Sequence, residues 1–209
     1  MLNNAQRNTT GLPFLSSFKL ATAMVAVLFS SLLWAEGSAV TYKRPGVDVS
    51  KYTQFIVTPL DVSDMNIVPP AWLADGKSHK WQLKDSDVEF IRTLYIENVT
   101  KGIHSGGKYN AVKVPTAQTI QVDVKLLSLT PWAKKGDTSA ETMGSGEMKY
   151  EAVLRDALNG DMLMLIEGVQ NVGKQYQENT RLNHEHNLQQ HFETWGKNLS
   201  KALAKAHAK

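Results

Sequence analysis

The chain has 209 residues, 42% of them apolar and 21% charged, with a formal net charge of +3 and a pI near 9.0. That is material for one hydrophobic core, and it excludes both a disordered chain and the dense Lys/Arg footprint of a nucleic-acid binder. There is no cysteine, which excludes disulfides, thiol chemistry and the acylated cysteine of a bacterial lipoprotein.

Arg7 and Lys19 are the only charged side chains before Leu20, and residues 20–34 (LATAMVAVLFSSLLW) carry none. This apolar run of about 15 residues is short of the roughly 20 that span a bilayer. Gly37 and Ala39 then hold the −3 and −1 places of a cut before Val40. A basic start, a short apolar middle and a small-residue exit predict a signal peptide over residues 1–39, or an uncleaved N-terminal anchor. Residues 40–209 then form a single periplasmic domain, which meets a membrane only through that N-terminal segment. Losing Arg7, Lys19 and Glu36 takes the 23 basic and 20 acidic residues to 21 and 19, about +2.

In the domain, Pro45-Gly46 marks a turn, and Asp48 and Ser50 suit local backbone hydrogen bonds. Tyr52–Leu60 predicts a first strand, which Pro59 ends or places at a sheet edge. Residues 61–84 form a long connection with no sustained period, and it holds Trp72 and Trp81. These two tryptophans either pack down on the core or form part of a partner-binding surface. Ser86 with Glu89 makes an S-x-x-E capping box, and Val88, Ile91, Leu94, Tyr95 and Val99 recur at helical steps. The pattern predicts a helix over 86–101 that stops at Gly102, followed by a short strand over 110–115.

Ile120, Val122, Val124 and Leu126 alternate with polar residues, predicting a strand over 119–130 with one wet face. Leu127 and Leu129 take the opposite parity, so either a bulge shifts the phase or both faces are covered there. Pro131 stops this strand, and residues 131–146, which include Trp132, form a polar, Gly-rich connection. Residues 146–158 and 161–169 read as two strands joined by a type I′ turn at Asn159-Gly160. The last of them is apolar on both faces, which predicts a central position. Leu188, Phe192, Trp195, Leu199 and either Ala202 or Leu203 give the stripe of a second helix over 183–206. The pattern is α+β: a two-layer sandwich with a mainly antiparallel sheet of four to five strands and two long helices on one face.

The chemical motifs are incomplete. His184, His186 and His191 are spaced two and five apart on a helix, so they do not converge on a metal. Gly168 to Lys174 fits the first seven positions of G-x-x-x-x-G-K-[ST], but Gln175 stands where the magnesium-binding hydroxyl belongs, and no helix start follows. There is no G-x-S-x-G elbow and no H-E-x-x-H. Lys43, Arg44 and Lys51 are too few for a nucleic-acid surface. No catalytic, cofactor or metal residue is assigned, and the enzyme question leans to no. A binding role with an envelope protein partner is expected, with Trp72, Trp81, Trp132 and Arg44 as the possible interaction surface. A small-ligand or glycan-binding module, and a hydrolase whose site assembles only in the fold, are the alternatives.

The string Tyr42 to Tyr52, Y-x-R-P-G-x-D-x-S-x-Y, resembles the opening of a family of small exported bacterial envelope proteins catalogued as a domain of unknown function. The resemblance covers roughly residues 42–205. It implies periplasmic residence and brings no catalytic residues. Many members look like lipoproteins, but with no cysteine after the apolar run lipid anchoring is not carried over.

Overall fold

The computed structural model describes residues 37–73, 83–134 and 136–208. Three long strands anchor it: β7 (Gly146–Asp156) pairs antiparallel with β5 (Thr119–Thr130) on one side and with β8 (Met162–Val172) on the other. Outside β8 lies the edge strand β1 (Ser38–Lys43). Beyond β5 come β2 (Gln54–Val57) and β4 (Asn110–Ala111), giving the order β1-β8-β7-β5-β2-β4. A two-residue strand, β3 (Asn66–Ile67), also pairs with β5 and makes this a seven-stranded sheet. A separate ribbon pairs β6 (Glu141–Met143) with β9 (Tyr176–Glu178).

The expected α+β class holds, but the expected four to five strands become seven, and three pairings (β2–β5, β2–β4 and β3–β5) are parallel. The extra strands are two to six residues long, too short to show an alternation in the sequence. β2 and β3 are two pieces of one run beside β5. Thr58 N–H donates to Val122 O, Asp61 N–H to Val124 O and Val68 N–H to Leu129 O, while Pro59 between them has no N–H to give. Parallel neighbours need a crossover, and the chain between β2 and β5 supplies it with a helix, α1 (Asp85–His104).

Leu127 is the bulge: Leu126 pairs with Tyr150, and the next pair is Ser128 with Lys149. The extra residue returns Leu129 to the core side, where it packs on the buried cluster. β8 is the penultimate strand, not a central one, because the N-terminal segment adds β1 outside it. The hairpin after β7 is also wider than a two-residue turn. Asp156 N–H donates to Asp161 O, and Gly160 N–H to Asp156 O, with Gly160 at φ +75°.

α1 and a second helix, α2 (Arg181–His207), cover one face of the sheet. α1 starts one residue ahead of the expected Ser86 box, and Asp87, not Glu89, accepts the Lys84 N–H at 3.1 Å. Gly102 does not end the helix. It sits at the crossing with α2, where a Cβ on Gly102 would meet Glu193 O at 2.2 Å and one on Gly196 would meet Val99 O at 2.1 Å. Glycine at both positions lets the backbones touch, and the buried Ser200 hydroxyl donates to Ile103 O at 2.9 Å in the same seam. The core gathers Ile91, Leu94, Tyr95 and Val99 from α1, Phe192, Trp195, Leu199 and Leu203 from α2, and the inward residues of β5, β7 and β8. Tyr95, Phe192 and Trp195 meet edge-on at 5.4 Å between neighbouring centroids. Each such side chain contributes about 2 kcal/mol or more through burial.

Candidate functional site

Polar groups are buried at both ends of the sheet. At the hairpin end, the Asp156 carboxylate is 9% exposed. It accepts from the Tyr52 hydroxyl at 2.8 Å, the Leu158 N–H at 3.0 Å and the Lys51 ammonium at 3.2 Å. Burial works to raise this carboxyl, and the three donors outweigh it, so it lies below the ordinary carboxylate range. The rest of the Tyr42–Tyr52 string serves the same junction. Gly46 takes φ +70°, and Asp48 caps a one-turn 3-10 helix by accepting from Ser50 N–H at 2.9 Å. Arg44 pairs with Asp161 at 2.5 Å, and His207, in the last turn of α2, lies with Nε2 at 3.0 Å from Tyr52 O. The string that carries the resemblance is therefore a clasp joining the N-terminal segment, the β7–β8 hairpin and the end of α2.

At the opposite end, the first half of α2 stands away from the last residues of β8, leaving a cleft of about 620 Å³. Its floor is a buried chain of hydrogen bonds. Trp195 Nε1 donates to Gln170 Oε1 at 2.8 Å, and Gln170 Nε2 donates to Ser38 Oγ at 2.6 Å and to Tyr150 Oη at 3.1 Å. Gly168 makes the seat for this network, since a Cβ there would lie 2.8 Å from Ser38 Oγ and 2.9 Å from the Tyr150 ring. One wall is α2, with His186, Asn187, Gln190, His191 and Thr194; the other is the strand end and turn from Asn171 to Gln177. Asn187 donates to Ser145 Oγ at 2.8 Å and fills the space above Gly173, which has φ +88°.

Two polar atoms of this cleft are buried and make no hydrogen bond among the described residues: His191 Nε2 and Gln177 Nε2. Among the described residues, the only others of this kind are the Tyr95 and Tyr109 hydroxyls, which lie in the core. The His191 ring lies against Trp195 and Phe192, with centroids at 5.0 and 6.0 Å. Burial lowers its pKa to about 4, so the imidazole is neutral at pH 7. Burial also lowers His184, which meets Asn179 Oδ1 at 2.7 Å. Glu147 and Lys174, of opposite sign, line the cleft as well. The arrangement offers hydrogen bonds from neutral groups around a cavity without an excess of either charge.

Of the residues singled out in the sequence, Gly173, Lys174, His186 and His191 line the cleft, while Trp72, Trp132 and Arg44 do not. Trp72 is 63% exposed on a single 3-10 turn, Ala71–Leu73, so it is not a lid on the core. Trp132 is half-buried just past β5, and Trp81 lies outside the described residues. Trp72 and Trp132 both follow the C-terminal ends of the parallel neighbours β3 and β5, while Arg44 is at the hairpin end. The Gly168–Lys174 string runs through β8 into β9 and not into a helix, so no helix N-terminus faces it. Its glycines answer to Tyr150 and Asn187. Among the described residues, no three His, Asp or Glu side chains are grouped to hold a metal, and no helix is long and apolar enough to cross a membrane. Sequence reasoning missed Gln177, and it weighed His191 only as a metal ligand. The one available signal was that His191 falls one residue ahead of the apolar stripe position Phe192, flanking the helix's buried face.

No curated protein matches the chain. Among solved structures, it is similar to the PelC dodecamer from Paraburkholderia phytofirmans, with 10% identity, coverage of 78% of this chain and 97% of that one, and a TM-score of 0.39. Protein XCC0632 from Xanthomonas campestris gives 8% identity, 76% and 86% coverage, and a TM-score of 0.44. The sequence matches the family DUF3313, described as a protein of unknown function, over residues 34–199. That span includes the clasp string and all but the last turns of α2, and the chain belongs to this family.

Proposed function

We propose that the protein is a non-catalytic binding protein of the bacterial envelope, exported through its N-terminal apolar segment, and that it takes its partner in the cleft between α2 and the end of β8. The observation that carries this reading is the pair of buried, unpartnered nitrogens, His191 Nε2 and Gln177 Nε2, lining one cavity. A buried polar atom without a partner costs about 1–3 kcal/mol, a cost a ligand removes on binding. The chemistry of the walls favours the glycan alternative over an anion. Asn171, Gln175, Gln177 and Gln190 are carboxamides, which both donate and accept as sugar hydroxyls require, and His191 brings no charge at pH 7. Exposed Trp72, with Val68 four residues before it and 45% exposed, is the surface left for a protein partner.

The test is a titration of isotope-labelled protein with soluble muropeptides, together with a photo-crosslinking residue placed at Gln175 or Trp72 in living cells. Saccharide-induced shifts at Gln177, Asn187 and His191, with crosslinks from position 175, are expected. Crosslinks from position 72 alone, with no saccharide shifts, would move the binding site to the 61–73 loop.

A further inference from the structure

We infer that Ser38 and Ala39 belong to the working protein as part of its fold, so that any release of the leader hydrolyses the Gly37–Ser38 bond or one ahead of it. The small residues Gly37 and Ala39 suit the −3 and −1 places of a cut before Val40, but the fold already uses the three described residues that such a cut would remove, Gly37, Ser38 and Ala39. Gly37 O accepts the Val169 N–H at 2.8 Å. Ser38 pairs with Gly168 and Ala39 with Glu167, so the first two of the six residues of β1 would be lost. Gly37 has φ +95°, and a Cβ there would lie 2.0 Å from Val169 O. Glycine at this position therefore answers to the approach of β8, and needs no explanation from a peptidase.

Ser38 matters most. Its hydroxyl lies 2.6 Å from both Tyr150 Oη and Gln170 Nε2, and Gln170 in turn accepts from Trp195 on α2. Gln170 is 4% exposed and Tyr150 fully buried. A chain starting at Val40 takes the shared partner from both groups and opens the cleft floor to water. It also places a charged α-ammonium beside Ile166, the buried residue that Val40 pairs with. The sequence supplies another small pair two residues earlier, Ala35 and Gly37, which fit the same −3 and −1 places for a cut before Ser38. That cut spares the network.

The experiment takes the full chain expressed in a Gram-negative host and reads the N-terminus of the recovered folded protein by intact mass and terminal sequencing. In parallel, Ser38→Ala, which leaves the small residues at 37 and 39 in place, is compared with wild type in thermal unfolding. The expected results are an N-terminus at Ser38 or earlier, the unprocessed chain included, and a fall in Tm of about 4 °C for Ser38→Ala. A folded product beginning at Val40 overturns the inference. So does a Ser38→Ala variant that melts with wild type, whichever terminus is found. Neither readout depends on what the cleft binds, so failure here is separate from failure of the saccharide titration.

Discussion

At the hairpin end of the sheet, the Asp156 carboxylate is surrounded by three donors, and at the cleft end two buried nitrogens have no hydrogen-bond partner among the described residues. Both ends bury polar side chains beside the same two strands, β7 and β8, and both draw on α2, its last turn at one end and its first half at the other. What separates them is completion. The clasp satisfies its charge from within the chain and has no chemistry left to offer a ligand. The cleft has a finished floor, Ser38–Gln170–Trp195, beneath an unfinished wall. Since an orphaned buried donor lowers stability, the unfinished end is where a partner is expected, and the finished end is where the fold is expected to be held.

The most forceful way to break that contrast is at Asp156. Asp156→Ala leaves the buried Tyr52 hydroxyl and the Leu158 N–H without their acceptor, while the half-exposed Lys51 ammonium turns to water, and is expected to cost about 3 kcal/mol in urea unfolding. Asp156→Asn keeps an acceptor for Tyr52 and should cost less. The folded Asp156 lies below its unfolded value near 3.8, so its stabilisation is present above that pH and is lost as pH falls through the folded value. A small effect of Asp156→Ala at pH 7 would mean that the clasp does not hold the fold.

The second effect runs in a different pH window. His191 titrates at about 4 when folded and near 6.5 when unfolded. Between those values the unfolded chain binds the extra proton, so stability is fully present above pH 6.5 and declines as pH falls toward 4. From pH 7 to pH 5 the loss from this group reaches about 2 kcal/mol. His184 is lowered by burial too and acts with the same sign. The slope belonging to His191 is therefore the difference between wild type and His191→Phe, which should lie flatter over pH 5–7 while retaining the fold. Parallel profiles for the two proteins would show that His191 is hydrated, and the cleft would lose one of its two orphaned nitrogens.

Much of this contrast was legible in the sequence, but only for the fold. The alternation of Ile120, Val122, Val124 and Leu126, and the stripes of both helices, depend on near neighbours and on a strong apolar period, and the structure keeps them. The parity break at Leu127 was legible too, as either a bulge or a doubly covered end, and the register decides for the bulge. Two-residue strands such as β3 and β4 exist only because β5 or β2 lies alongside, which no local pattern records. Gly102 reads as a helix stop until Gly196, far away in the sequence, is known to lie against it. The clasp string was visible as a motif, but its purpose depended on Asp156, over a hundred residues downstream. The cleft was not legible at all, since an orphaned donor is defined by what is absent around it in three dimensions.

The smallest expected effect tests the boundary of the clasp. Arg44 stands in the same string as Tyr52 and pairs with Asp161 in the hairpin that follows Asp156, yet the two side chains are 42% and 46% exposed. Water screens such a pair, and fixing two long side chains offsets much of the attraction. The backbone at Arg44 contributes independently of its side chain, through its N–H to Leu163 O at 2.9 Å. Arg44→Ala and Asp161→Ala, alone and together, should therefore melt within about 1 °C of wild type. They should show no coupling in a double-mutant cycle, and added salt should change nothing. Strong coupling would extend the clasp from the buried carboxylate to the protein surface. It would also mean that Arg44 is fully committed to holding the hairpin, which would remove it from any partner-binding surface.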